Sequence, residues 1–102
     1  MTMPTWFNGS LPEWLVYDSL LKMGLKDKFT FQSSRMGVRL SSGTRVDFDL
    51  PELGRAINVR KDDALERAQI KSKGTDIVFI READAMADAP LFVEDALKGL
   101  QH

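Results

Sequence analysis

The chain has 102 residues, 43% apolar and 28% charged, with seven Gly, four Pro and a net charge of −1. This fits one globular domain over residues 1–102 and excludes disordered and fibrous classes. It has no Cys and a single His, His102, which excludes thiol nucleophiles, Cys/His zinc clusters and disulfide frameworks and leaves a Ser-His-Asp triad hanging on a terminal side chain.

In chain order, the first element opens at Ser10-Leu11-Pro12-Glu13. That is the pattern of a capping box, with Ser10 as cap, Glu13 reaching back and Pro12 tolerated in the first turn. Leu11, Trp14, Leu15, Asp18, Leu21 and Leu25 then step at helical intervals, so the spacing predicts a helix to about Gly24. Phe29 to Gln32 alternates as a short strand, followed by a loop through Ser33, Ser34 and Gly37 and a turn at Ser41-Ser42-Gly43. Thr44 to Leu50 is the clearest strand, with Val46, Phe48 and Leu50 on one face and Arg45, Asp47 and Asp49 on the other.

Pro51 to Gly54 supplies a turn, and Ala56 to Arg60 returns as a second strand with Ile57 and Val59 inward. Together they predict a hairpin with one apolar and one polar side. Asp62 or Asp63 caps a helix running to about Lys73, with Ala64, Leu65 and Ala68 on its packing face and Gly74 as its stop. Thr75 to Ile80 carries four successive large apolar residues, the pattern of a strand buried on both faces. After an Ala/Asp-rich connection, Pro90 starts a last helix with Leu91, Phe92, Val93, Ala96, Leu97 and Leu100. The expected fold is α/β, a mixed four-stranded sheet flanked by helices in the order αβββαβα. The helical crossover implies one parallel strand pair.

Thr44-Arg45-Val46-Asp47-Phe48 followed by Ile57-Asn58-Val59-Arg60, a helix and an apolar strand after Gly74 resembles the PD-(D/E)XK, or restriction-endonuclease-like, superfamily. Within it the likeness is nearest to small very-short-patch-repair-like endonuclease domains of phage or environmental origin. It covers about Leu11 to Gly99. The resemblance implies a Mg²⁺-dependent endonuclease core: one carboxylate on the first strand, a second two residues before a Lys on the next, and often a Glu on the opening helix.

The physical sense of that spacing is independent of the family. Residues at i and i+2 share a strand face, so an acid and a Lys there meet an acid from the neighbouring strand. Two carboxylates hold Mg²⁺ against a phosphate while Lys helps activate water.

Position by position, Asp47 takes the first acidic place and Glu13 the helix place. Asn58 stands where the second carboxylate is expected and Arg60 where Lys is expected. The implied catalytic set is therefore Asp47, Asn58, Arg60 and Glu13, with Asp47, Asn58 and Glu13 as metal ligands. Asn58 offers only a neutral carbonyl, and Arg60 keeps its proton and can clamp a phosphate without acting as a base. Each residue also has a plainer reading. Glu13 closes the capping box, Asp47 pairs with Arg60 or Arg45, and Asp62 and Asp63 cap a helix. Arg67 bridges to Asp63, and Trp6 and Trp14 pack in the core.

Charge is unevenly spread. Lys22 to Lys73 carries 12 basic and 7 acidic residues, whereas both flanks are acidic. A basic middle is compatible with a phosphate-binding face, for which Arg35, Arg39, Lys61 and Arg67 are the expected contacts. DNA is the expected partner, and a homodimer would let so small a nuclease cover a duplex site. The alternative is a non-enzymatic interaction or structural subunit reusing the fold. The longest apolar runs fall far short of the roughly 20 residues that span a bilayer, and the N-terminus lacks a basic-then-apolar leader, so a cytoplasmic setting is expected.

Overall fold

The computed structural model describes residues 3–32, 37–40, 45–61, 70–72 and 75–98. Helix α1, Leu11–Lys22, begins with the expected box. Ser10 Oγ accepts the Glu13 N–H at 3.3 Å, and Glu13 Oε1 accepts the Ser10 N–H at 2.8 Å. The chain turns away after Met23 at Gly24, whose φ of 81° suits glycine. The buried face of α1 is rotated from the expected one. It consists of Glu13, Trp14, Val16, Ser19 and Leu20, while Leu11 is exposed.

The strands are β1 (Thr30–Phe31), β2 (Val38–Arg39), β3 (Arg45–Val46), β4 (Phe48–Leu50), β5 (Arg55–Arg60), β6 (Ile70–Ser72) and β7 (Thr75–Arg81). Among the described residues, the four expected strands form a mixed sheet in the order β1-β4-β5-β7, which β6 extends at the edge. β1 and β4 run antiparallel with Phe31 opposite Phe48, and β4 and β5 antiparallel with Phe48 opposite Ile57. β5 and β7 are the expected parallel pair, with Ile57 level with Val78. A 3₁₀ turn, Pro51–Leu53, joins β4 to β5 and closes on Gly54 at φ 64°. Arg55, level with Asp76 in that parallel pair, sets its guanidinium 3.6 Å from the Asp76 carboxylate and donates to the Leu53 carbonyl.

Two apolar clusters sit on opposite faces of the sheet. One joins Val16 and Leu20 of α1 to Phe48, Leu50, Ile57, Val59 and Ile80, closed by Ala85, Val93 and Ala96 of helix α2, Glu82–Lys98. The other joins Leu40 and Val46 of the small β2–β3 sheet to Ala56 and Ile77. The order of layers is therefore two helices, sheet, hairpin, and no helix among the described residues is long and apolar enough to cross a membrane.

Four expectations need correcting. Thr44–Leu50 is not one strand: a bend at Asp47 sends Val46 to the face opposite Phe48 and Leu50. The expected polar side of the second hairpin strand is covered: Ala56 and Asn58 are as buried as Ile57 and Val59, and Arg60 at its end is half-buried. The end of the expected middle helix is strand: Ile70–Ser72 pairs antiparallel with β7, whereas residues 62–69 of that helix lie outside the described ones. The Ala/Asp-rich connection is helical, forming the first part of α2 before a break at Asp88.

Candidate functional site

The bend at Asp47 builds the site. Extending the β4–β5 register would set Val46 opposite Val59, but Val46 pairs instead with Val38 of β2. The Val59 N–H thus loses a strand carbonyl, and Asp47 Oδ2 takes its place at 2.8 Å. The Asp47 N–H in turn donates to Asn58 Oδ1 at 2.8 Å, and the Asp47 carbonyl accepts the Gln32 N–H at 3.0 Å. Asp47 and Asn58 are thus clasped face to face, each side chain accepting a backbone N–H from the opposing strand.

Glu13 reaches the same place from α1, since its negative charge acts on Asp47, as does the positive charge of Arg60. The Arg60 guanidinium carbon also stands 6.0 Å from the centre of the Phe79 ring. The structure therefore sets Asp47 and Asn58 in direct hydrogen-bond contact, with Glu13 and Arg60 close enough for their charges to act on Asp47. The acids and the amide lie under the surface, with Glu13 and Asp47 each 2% exposed and Asn58 3%.

Burial governs the chemistry. Loss of water raises the Asp47 pKa from 3.8 to about 6; the Val59 N–H and Arg60 pull it down and Glu13 pushes it up. Burial also raises the pKa of half-buried Asp49 in β4.

These donors do not fit Mg²⁺. The ion requires near-octahedral oxygen coordination and keeps several waters, whereas Glu13, Asp47 and Asn58 are buried, one oxygen of each holds a backbone N–H, and that of Glu13 is turned to the Ser10 cap. Among the described residues no three acidic, imidazole or thiol groups gather as a metal-holding set. What the arrangement does is close a strand break and hold an acid whose proton is exchanged near pH 6.

Of the expected phosphate contacts, Arg39 is exposed on β2 and Lys61 is exposed just after β5, while Arg35 and Arg67 lie outside the described residues. Sequence reasoning did not bring Arg45 together with Arg39. Arg45 is exposed and directly opposite Arg39 across the β2–β3 ladder, a juxtaposition invisible in either strand alone. Also missed was the extent of the aromatic cluster around Trp6, Phe7, Trp14 and Tyr17; the signal was the recurrence of rings at 6, 7, 14, 17, 29 and 31. Compared with protein-family models, curated proteins and solved structures, the chain finds no match.

Proposed function

We propose that the chain is a DNA-handling domain built on a restriction-endonuclease-like core, in which the phosphodiesterase site is degenerate and binding outlasts cleavage. The observation that carries this reading is the meeting of Asp47 with Asn58 and Arg60 across β4 and β5, with Glu13 acting on Asp47 from α1. The antiparallel, antiparallel, parallel sense of the sheet supports it.

The test combines binding with cleavage on single-stranded, duplex and branched DNA, with Mg²⁺ and with Mn²⁺. Affinity should fall steeply with added salt as bound phosphates release counterions, and cleavage by the parent chain should be slow or absent. Arg39→Ala should weaken binding and flatten the salt dependence by about one charge. Undetectable binding at low salt would instead favour the non-enzymatic interaction subunit. That second reading draws on the burial of Glu13, Asp47 and Asn58 in backbone hydrogen bonds.

A further inference from the structure

Next to the clasp lies an open groove of about 250 Å³ walled by Trp6, Tyr17, Phe29 and Phe31. Trp6 is 65% exposed, although Phe7, Trp14 and Tyr17 hold its ring at 5.8–6.2 Å in edge contacts. Trp14 in the same cluster is 7% exposed. An indole that is fixed by its neighbours and still open to water is preorganised for stacking, since little side-chain freedom remains to be lost.

The rim is polar and uncommitted. Asn8, Lys26 and Gln32 line the groove; among the described residues neither side-chain amide makes a hydrogen bond and Lys26 makes no ion pair. The groove's volume is below the roughly 300–1,000 Å³ of pockets for drug-sized ligands, a size suited to one planar ring. Aromatic walls, two amides and one cation match a nucleobase with its adjoining phosphate.

The groove also adjoins the candidate site. The Gln32 N–H bonds the Asp47 carbonyl, and Phe31 lies opposite Phe48, the residue after Asp47. Gly9 is wedged between the two features. A Cβ there would stand 2.7 Å from Phe7, 3.0 Å from Phe31 and 3.0 Å from the Glu13 carboxylate.

We propose that this groove is a nucleobase-stacking subsite, so that the DNA handled by the domain is single-stranded or locally unpaired beside Asp47. The inference rests on the DNA-handling reading and adds the substrate form. Trp6 supplies the stacking surface, Lys26 meets a phosphate, and Asn8 and Gln32 face the base edge.

Trp14→Phe leaves Trp6 as the only indole, so its fluorescence reports the groove. A short oligothymidylate should quench it, and the matching duplex should not. Trp6→Ala should weaken single-strand binding about 5- to 150-fold, the range for losing one stacked base, far more than it weakens duplex binding, in a chain that circular dichroism shows to be still folded. Lys26→Ala, a second exposed change, should lower the single-strand salt dependence by about one charge. DNA binding that ignores both substitutions and leaves Trp6 unquenched overturns the groove alone. Absence of any DNA binding overturns the reading beneath it as well. Quenching by a proline-rich peptide but not by the oligonucleotide reassigns the groove to a protein partner and overturns the proposal.

Discussion

At Asp47, burial and the need for a hydrogen-bond acceptor pull in opposite directions. The Val59 N–H needs an oxygen, and the one that serves it belongs to a carboxylate with almost no water around it. With a folded pKa of about 6 against 3.8, the native state holds the proton more tightly than the unfolded chain. Stability from this group is therefore full below about pH 4 and lost as pH rises through 6. Near 1.4 kcal/mol per pH unit the loss is roughly 3 kcal/mol. Asp47→Asn keeps an acceptor for Val59 and removes the titration, so its denaturation profile should stay flatter than the parent's between pH 4 and 7 and cross above it. Parallel profiles would show that Asp47 is not the titrating group. Gly9 offers a second residue-scale test. Its Cβ position collides with Phe7, so Gly9→Ala should destabilise by about 1–3 kcal/mol through overpacking, read from the denaturant midpoint. That Asn58 and Arg60 share a face was legible from strand alternation, because residues two apart do so whatever surrounds them, whereas Asp47 meets Asn58 through a bend that alternation did not show. The burial of Asp47 and Asn58 was not, because it depends on the hairpin that Leu40 and Val46 lay over that face.

Among the elements, α2 shows most clearly why boundaries were misread. Ala85, Ala89, Val93 and Ala96 form its buried face at helical spacing, but Ala residues among Asp carry little hydrophobic contrast and read as a connection. The expected start at Pro90 has a physical counterpart inside α2. Asp88 leaves helical geometry (φ −163°, ψ 75°), and its Oδ1 accepts the Leu91 N–H at 3.2 Å, so it caps a new helical segment with Pro90 in its first turn. Asp88→Ala should cost about 0.5–2 kcal/mol, measured by thermal unfolding. A change within a few tenths would show that packing of Val93 and Ala96 alone fixes the break. The break at Asp47 was hidden for another reason. Val46, Phe48 and Leu50 alternate as in one strand, and only competition from β2 for Val46 reveals that the chain changes sheets there.

For the molecule as a whole, the decisive question is whether the clasp can be returned to metal chemistry. Asn58→Glu would put a third carboxylate beside Asp47 and Glu13, where burial has already pushed Asp47 to about 6. Arg60→Lys would replace a permanent cation with one whose pKa can fall on burial. Without a divalent ion, the added like charge should make the double variant less stable than the parent, more so at pH 8 than at pH 5. With Mg²⁺ or Mn²⁺ it should recover, since an ion that binds only the folded state at a hundred times its Kd adds about 2.7 kcal/mol, or about 10 °C or more in a domain of this size. The parent, whose three oxygens are committed to backbone N–H groups, should show little such shift. Asn58→Asp is the folding control, because it adds the charge while keeping an oxygen where the Asp47 N–H needs one. Metal-dependent cleavage should appear in the double variant and vanish when Asp47→Ala is added. If Mg²⁺ stabilises the parent as strongly as the double variant, or the parent cuts as fast, then Asn58 and Arg60 are not losses and the acid that matters lies elsewhere, with half-buried Asp49 the first to replace.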